Sequence, residues 1–174
     1  MILIGETGSG KSTQLVQFLA DSGLAAGGSI VCTQPRKIAA ISLAHRVDEE
    51  SNGCYGDNSV MSYSTLLNSQ GFGSKIIFTT DSCLLHHCMS DKGLDGISYI
   101  IVDEAHERSL NTDLLLAMIK NKLLDRLDLR LIIMSATADA DRLMEYFYGC
   151  QTFHVKGRSF PVEIMSQTYQ QRLP

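Results

Sequence analysis

The chain has 174 residues, of which 44% are hydrophobic and 20% are charged. This size and composition suit one globular α/β or α+β domain, and the lack of a Pro-, Ser- or Gln-rich tract argues against disorder. No apolar run reaches the roughly 18 residues that a membrane span needs. The Gly-rich stretch after Ile4 is unlike a signal peptide. We therefore expect a soluble protein that stays inside the cell.

Charge and cysteine content narrow the class of protein further. The formal net charge of −4 argues against binding nucleic acid through bulk charge, although a local basic face would suffice. The five cysteines are an odd number and form no CxxC pair. This pattern indicates thiols in a reducing compartment, either nucleus or cytoplasm, and it does not exclude a chloroplast or mitochondrion.

Short apolar, β-branched runs alternate along the chain with amphipathic stretches of helical length. The predicted strands are Ile2–Ile4, Ser29–Thr33, Val60–Ser62, Lys75–Phe78, Tyr99–Val102, Arg130–Met134 and Thr152–Val155. The predicted helices are Lys11–Asp21, Arg36–Glu50, Ser82–Met89, Leu110–Asp125 and Ala140–Tyr146. The run from Ile97 to Val102 is apolar on both faces, which is typical of a central parallel strand. The alternation predicts one α/β domain with a mostly parallel sheet and helices on both faces.

A phosphate-binding motif follows the first predicted strand and opens the first helix. Residues Gly5 to Ser12 match GxxxxGK[ST] at every fixed position. The glycines allow successive backbone N–H groups to point at phosphate oxygens, and the helix N-terminus adds its positive end. Lys11 would reach the β- and γ-phosphates, and the Ser12 hydroxyl would bind Mg²⁺. The alternative is a Gly-rich turn followed by an incidental Lys-Ser pair.

Two acidic residues follow the apolar strand that ends at Val102. We predict that Asp103 holds Mg²⁺ through water, and that Glu104 polarises the water that attacks the γ-phosphate as a general base. Glu104 also counts among the predicted metal-site residues. Ligands of such sheets bind beyond the carboxyl ends of the strands, where both motifs fall. The alternative is that these acids only cap the helix that follows.

Four strings in fixed order resemble motifs I, Ia, II and III of the DEAH-box RNA helicases of superfamily 2. They are Gly-Glu-Thr-Gly-Ser-Gly-Lys-Ser-Thr from Gly5, Thr-Gln-Pro-Arg-Lys from Thr33, Asp-Glu-Ala-His-Glu-Arg from Asp103 and Ser-Ala-Thr from Ser135. The resemblance extends from Ile2 to about Val162. It implies the first RecA-like P-loop NTPase domain of an ATP-dependent RNA helicase, with ATP and Mg²⁺ as cofactors and RNA as a partner.

The resemblance also implies roles for individual residues. The ATP-binding set would be Gly5, Glu6, Thr7, Gly8, Ser9, Gly10, Lys11, Ser12, Thr13 and Arg46, with Arg46 stacked on the base. The catalytic set would be Lys11, Asp103, Glu104 and His106, and the RNA-binding set Arg36, Lys37, Thr80 and Asp81. Ser135, Ala136 and Thr137 would couple ATP state to domain movement through His106. The alternatives are a solvated arginine on an amphipathic helix for Arg46 and a capped strand-to-helix turn for Ser135–Thr137.

Two positions depart from the pattern of this family. Ser82 follows Thr80-Asp81 where the family usually has Gly, and Tyr63 stands between serines where the family commonly continues from Gly-Tyr to Ile-Arg-Phe. Both departures weaken the expected RNA contacts and leave the nucleotide site unaffected. A Cys/His stretch from Cys83 to Cys88 lacks a second ligand pair for zinc, so packing and surface exposure are the favoured interpretation.

We expect residues 1–174 to form a single RecA-like domain, with 163–174 as the start of a link to a second such domain in a longer chain. The second domain would supply an arginine that is worth about 10³–10⁵ in rate, so the domain alone is expected to hydrolyse ATP weakly. Adaptor proteins are further expected partners. The alternative functions are a degenerate P-loop nucleotide-binding module and a DNA translocase that does not unwind RNA.

Overall fold

The computed structural model describes residues 1–6, 8–25, 27–55, 75–89, 94–136 and 140–157. The strands are β1 (Ile2–Gly5), β2 (Ser29–Gln34), β3 (Ile76–Thr80), β4 (Ile97–Val102), β5 (Arg130–Ser135) and β6 (Thr152–Val155). The α-helices are α1 (Lys11–Asp21), α2 (Lys37–Ser51), α3 (Asp81–Cys88), α4 (Leu110–Asp125) and α5 (Ala140–Tyr146). A 3₁₀ turn covers Ala105–Glu107. The predicted strand Val60–Ser62 lies outside the described residues.

The six described strands form one sheet in the order β3-β2-β4-β5-β1-β6, and every pairing is parallel. The predicted parallel α/β fold is confirmed. β4 lies between β2 and β5, in the middle of the sheet, as its double-sided apolar pattern predicts. Because all the strands run the same way, their carboxyl ends meet at one edge of the sheet. The segments that follow β1, β2, β4 and β5 therefore start from that edge.

Helices cover both faces of the sheet. Side chains that alternate along a strand enter opposite clusters, so Ile100 and Val102 pack on one face while Ile101 packs on the other. The first cluster includes Leu84 from α3 and Leu115, Leu116 and Ile119 from α4. The second includes Val16 and Ala20 from α1 and Ala40, Ala44 and Val47 from α2. The two clusters fix the sheet between layers of helices.

The helices begin in two different ways. The Thr80 hydroxyl accepts a hydrogen bond from the Cys83 N–H at the start of α3, and the Ser109 hydroxyl accepts one from the Thr112 N–H at the start of α4. In contrast, α1 begins after Gly10 with no side-chain cap from the described residues. An uncapped helix N-terminus leaves backbone N–H groups available to an anion.

All five cysteines lie in the described part of the chain, and none of them forms a disulfide. This agrees with the odd, scattered cysteine pattern of the sequence. None of the described helices combines the length and the apolar character that crossing a bilayer requires.

The central strand gives the most direct test of this fold. Ile101 is fully buried, and truncating a buried Ile to Ala removes packed methyl groups and leaves a cavity. We expect Ile101→Ala to lower the free energy of unfolding by about 2–5 kcal/mol in urea denaturation. The matched change Ile38→Ala, at a side chain that is 79% exposed, should alter it by no more than about 0.5 kcal/mol. Equal losses in the two variants would contradict the burial of Ile101 in the core.

Candidate functional site

The phosphate-binding motif forms the turn between β1 and α1. Gly8 and Gly10 have φ values of 82° and 81°, a left-handed conformation that side chains other than Gly rarely adopt. The turn therefore depends on glycine at these two motif positions. Thr7 of the predicted ATP-binding set lies outside the described residues, whereas Gly5, Glu6 and Ser9 belong to the described part of the turn.

The ammonium group of Lys11 lies inside this turn. Its Nζ donates to the backbone oxygens of Gly5 at 2.5 Å and Glu6 at 2.8 Å, and to the Ser9 hydroxyl at 3.2 Å. These acceptors belong to the loop itself, so the loop and its lysine hold each other in place. The positive charge consequently lies next to the N-terminus of α1, where two sources of attraction for an anion coincide.

Asp103 brings the end of β4 into contact with the start of α1. The side chain is only 2% exposed, and its Oδ2 accepts a hydrogen bond from the Ser12 hydroxyl at 2.5 Å across 91 residues of sequence. The same Oδ2 accepts from the Gln34 amide nitrogen at 2.6 Å, and Oδ1 accepts from the Glu104 N–H at 2.8 Å. The predicted metal-site residues Ser12 and Asp103 are thus adjacent.

Glu104 has a strained backbone and an unusual environment. Its φ of 52° is a left-handed conformation, which is costly for a residue with a side chain and is often found at functional sites. Burial, followed by the negative charge of Asp103, raises the pKa of its carboxyl group above the ordinary value. The cap of α4 is Ser109 rather than either acid. The helix-capping explanation of Asp103 and Glu104 is therefore wrong.

His106 lies between Glu104 and the end of β5. Its Nδ1 is 3.3 Å from the Ala136 backbone nitrogen, which donates to it, and 3.4 Å from the Glu104 Oε2. A proton on Nδ1 would favour the contact with Glu104, and an unprotonated Nδ1 accepts from Ala136. The predicted link between His106 and the Ser135–Ala136 segment is thus a direct contact in the structure. Thr137 of the coupling set lies beyond the described residues.

The predicted RNA-binding residues fall into two groups. Arg36 and Lys37 are exposed at the start of α2, and an Arg36 guanidinium nitrogen lies 3.2 Å from the Glu107 carboxylate. Thr80 and Asp81 are instead buried, with exposed fractions of 8% and 2%. These four residues therefore do not form one surface in this structure.

Thr80 and Asp81 are buried because they start α3 against α4. The Thr80 hydroxyl caps α3, and the Asp81 carboxylate accepts a hydrogen bond from the Thr112 hydroxyl at 2.6 Å. Burial raises the pKa of the Asp81 carboxyl group. The Thr80 side chain thus serves the start of α3, and the Asp81 side chain joins α3 to α4. Contact of these two residues with RNA stays a prediction.

Arg46 lies on α2 and forms a link to α1. Its Nε donates to Glu50 at 2.7 Å, and Glu50 also accepts hydrogen bonds from Gln17 at 2.8 Å and Gln14 at 3.0 Å. The hydrogen bonds from Gln17 and Arg46 lower the pKa of the Glu50 carboxyl group. Arg46 is 63% exposed, and its contact with a nucleotide base stays a prediction.

Comparison with known proteins identifies the family. The sequence profile described as DEAD/DEAH box helicase matches residues 1–145. The chain belongs to this family. It is 64% identical over 165 residues to the "ATP-dependent RNA helicase DEAH12, chloroplastic" of Arabidopsis thaliana, an alignment that covers 95% of the chain and 9% of that protein. It is 45% identical over 166 residues to the "Pre-mRNA-splicing factor ATP-dependent RNA helicase prp22" of Schizosaccharomyces pombe, covering 95% of the chain and 14% of that protein.

A third relative, the "ATP-dependent RNA helicase DHX29" of Homo sapiens, is 43% identical over 173 residues, covering 94% of the chain and 13% of that protein. The chain therefore spans only about a tenth of the length of the relatives named here. The resemblance predicted from the motifs is confirmed, and so is the α/β fold of a RecA-like helicase domain.

The donor atoms of this helicase site fit magnesium. Mg²⁺ prefers oxygen ligands and is usually held by one or two carboxylates together with substrate phosphates. The Ser12 hydroxyl and the Asp103 carboxylate meet this description. In the described part of the chain, no group of three or more His, Cys, Asp or Glu side chains could hold a metal by itself.

Sequence reasoning missed two residues of the site, Gln34 and Glu107. Gln34 donates to Asp103, and Glu107 pairs with Arg36. One signal for Gln34 was available, because a polar residue at the carboxyl end of a buried strand faces the edge where ligands bind. No signal identified Glu107, because its partner was known only once β2 and β4 were found to be neighbours.

The raised pKa of Glu104 predicts a dependence of stability on pH. Unfolded Glu104 ionises near its ordinary pKa of 4.5, whereas in the folded protein it ionises at higher pH. The free energy of unfolding therefore falls as the pH rises between these two pKa values. We expect Glu104→Gln to raise the melting temperature at pH 7 and to lose this advantage below pH 4.5.

Thermal unfolding of both proteins from pH 4 to pH 8 would measure this difference. The change Glu145→Gln, at an exposed position of α5, controls for the loss of one negative charge. A Glu104→Gln variant that is less stable than wild type at pH 7 would contradict the assignment.

Proposed function

We propose that this chain is the N-terminal RecA-like, ATP-binding domain of an ATP-dependent RNA helicase. Together with a second RecA-like domain of the same longer protein, it would bind and hydrolyse ATP with Mg²⁺ to drive RNA unwinding or remodelling of RNA–protein complexes. The observation that carries the proposal is the 2.5 Å hydrogen bond between Ser12 and Asp103. It joins the phosphate-binding loop and the acidic pair in one site.

The phosphate groups of ATP would occupy the turn from Gly5 to Thr13. The start of α1 offers backbone N–H groups there, and the Lys11 ammonium group lies within the same turn. Ser12 and Asp103 would hold Mg²⁺, which neutralises charge on the β- and γ-phosphate oxygens when it is bound. Lys11 would bind the same phosphates directly.

Glu104 is the proposed general base for the attacking water. A carboxylate with a raised pKa is a stronger base than an ordinary one, and burial gives Glu104 this property. His106 contacts both Glu104 and the backbone of Ala136. A change in the position of Glu104 on hydrolysis would therefore move His106 and, through it, the end of β5. There, Ser135, Ala136 and Thr137 are proposed to couple the site to domain movement.

Arg36 and Lys37 support the proposed RNA partner, because both are exposed beside the site. A few local cations would suffice for phosphate contacts despite the net charge of −4. The second candidate is a degenerate P-loop module or a DNA translocase. The burial of Thr80 and Asp81 favours the degenerate module, since two side chains that were expected to contact RNA are only 8% and 2% exposed. Titrations of the chain with RNA and, in parallel, with DNA would distinguish the candidates by which nucleic acid it binds.

Two further proposals concern the rest of the protein and its location. Residues 1–174 are proposed to be one domain of a longer helicase, which could also bind adaptor proteins. A reducing compartment inside the cell is proposed as the location, and the absence of disulfides among the five described cysteines supports it.

The first prediction from this function concerns nucleotide binding. Lys11→Met removes the ammonium group from the phosphate loop, and a hydrogen-bonded charge of this kind contributes about 1.5–3 kcal/mol. We expect the affinity of the chain for a fluorescent ATP analogue with Mg²⁺ to fall by about 10- to 100-fold.

Fluorescence titration would measure this loss, with Lys75→Met as the matched control. Lys75 is exposed next to the amino end of β3, at the opposite edge of the sheet. Equal affinity of Lys11→Met and wild type would contradict ATP binding in this loop.

A second prediction concerns RNA. If Arg36 contacts a phosphate, Arg36→Ala should weaken binding of single-stranded RNA regardless of sequence, and should reduce the slope of log K against log salt by about 0.7. Glu107→Gln should have the opposite effect on affinity, because Glu107 competes for the Arg36 guanidinium group.

Fluorescence anisotropy at several salt concentrations would test both variants. Arg130→Ala is the matched control, because Arg130 is exposed at the amino end of β5. An Arg130→Ala effect as large as that of Arg36→Ala would overturn this assignment.

A further inference from the structure

We propose that Gln34 is a positioning residue of the metal site, whose side-chain amide holds the Asp103 carboxylate in the orientation that Mg²⁺·nucleotide binding uses. This inference rests on the proposed function, because it assumes that Asp103 serves a cation. It adds a residue that none of the motif roles above includes.

The sheet fixes the position of Gln34 next to the site. It is the last residue of β2 and is 3% exposed, and β2 pairs directly with β4, which ends one residue before Asp103. The Asp103 N–H donates to the Thr33 carbonyl at 3.2 Å, which extends the pairing to the end of both strands. Both backbones are therefore held by the sheet, and the two side chains meet in a defined register.

The hydrogen bond between Gln34 and Asp103 is short, and the chemistry of the two groups fixes which atom donates. Gln34 Nε2 lies 2.6 Å from Asp103 Oδ2, and both residues are buried. Of the two ends of the amide, only the nitrogen can donate to a carboxylate. Hydrogen bonds to a charged group are stronger than neutral ones, and burial limits competition from water.

Gln34 differs in one respect from Ser12, which also donates to Asp103 Oδ2. The Ser12 hydroxyl would be committed to Mg²⁺, whereas the Gln34 amide is not a predicted metal ligand. The Glu104 N–H serves the other oxygen, Oδ1. With the Ser12 hydroxyl engaged by the metal, the Gln34 amide still donates to Oδ2 and orients it. Partners that orient a metal ligand typically affect metal affinity by 10- to 100-fold.

A purely structural role is the competing explanation, because a buried carboxylate is costly without hydrogen bonds. The two explanations differ in whether the effect of a Gln34 substitution on nucleotide binding depends on Mg²⁺. A positioning role predicts that a variant needs more Mg²⁺ to bind nucleotide but binds it normally in EDTA. A structural role predicts a loss of folding, or a loss of nucleotide binding that is the same with and without the metal.

The test uses Gln34→Met, which keeps the length of the side chain and removes the donor. A fluorescent ATP analogue is titrated with the 174-residue chain in EDTA, and bound analogue is then followed against Mg²⁺ concentration. We expect the Mg²⁺ concentration at half-maximal effect to rise by about 10- to 100-fold, while the affinity in EDTA stays that of wild type. Gln151→Met, at an exposed side chain before β6, is the matched control and should leave both values unchanged.

A second variant, Gln34→Asn, keeps the test decisive if the Met variant does not fold. It retains the polar amide, but it is one methylene shorter and withdraws the donor from Asp103 Oδ2, so the Mg²⁺ requirement should again rise. An unchanged Mg²⁺ requirement in a folded variant, or equal losses with and without Mg²⁺, would overturn the inference. If wild type itself gains no affinity from Mg²⁺, the proposed function fails instead, and the two failures are thus distinguishable.

Discussion

The site depends on one buried carboxylate. Asp103 accepts hydrogen bonds from the start of α1 and from the end of β2, which are 91 and 69 residues away in sequence. These contacts are possible because a parallel sheet brings the carboxyl ends of β1, β2 and β4 to one edge. If the hydrogen bonds of Asp103 were lost, the phosphate-binding loop and the acidic pair would no longer be held in a fixed position relative to each other. The buried carboxylate would also remain without compensation for its desolvation.

The segment after β2 is attached to the segment after β4 at two points. Gln34 bonds to Asp103 within the core, and Arg36 pairs with Glu107 near the surface. The inner contact is buried and charge-assisted, whereas the outer one is an exposed ion pair of the kind that contributes little to stability. The outer contact can therefore exchange partners easily, while the inner one holds its geometry. This difference fits the proposed roles, in which Arg36 contacts RNA and Gln34 lies next to the nucleotide site.

Much of the fold could be predicted because its signals are local. Short apolar, β-branched runs placed β1, β2, β4 and β5 within one or two residues of their observed bounds, and the glycines at 8 and 10 marked the turn. The phosphate-binding motif is likewise a contiguous string. The contacts of Gln34 and Glu107 were missed because they depend on which strands are neighbours, and periodicity does not specify strand order. The sequence also did not show that the Thr80 hydroxyl caps α3 or that Asp81 accepts a hydrogen bond from Thr112 of α4, because the second contact joins separate helices.

We infer that the loop after β1 and the acidic segment after β4 act as one Mg²⁺-dependent nucleotide site. Hydrogen–deuterium exchange of the chain with a non-hydrolysable ATP analogue, with and without Mg²⁺, tests this most directly. We expect the analogue with Mg²⁺ to protect amides in both 8–13 and 102–106. Without Mg²⁺, protection should be confined to 8–13. Protection of 8–13 alone under both conditions, or no protection in either segment, would show that the two segments do not form one Mg²⁺-dependent site.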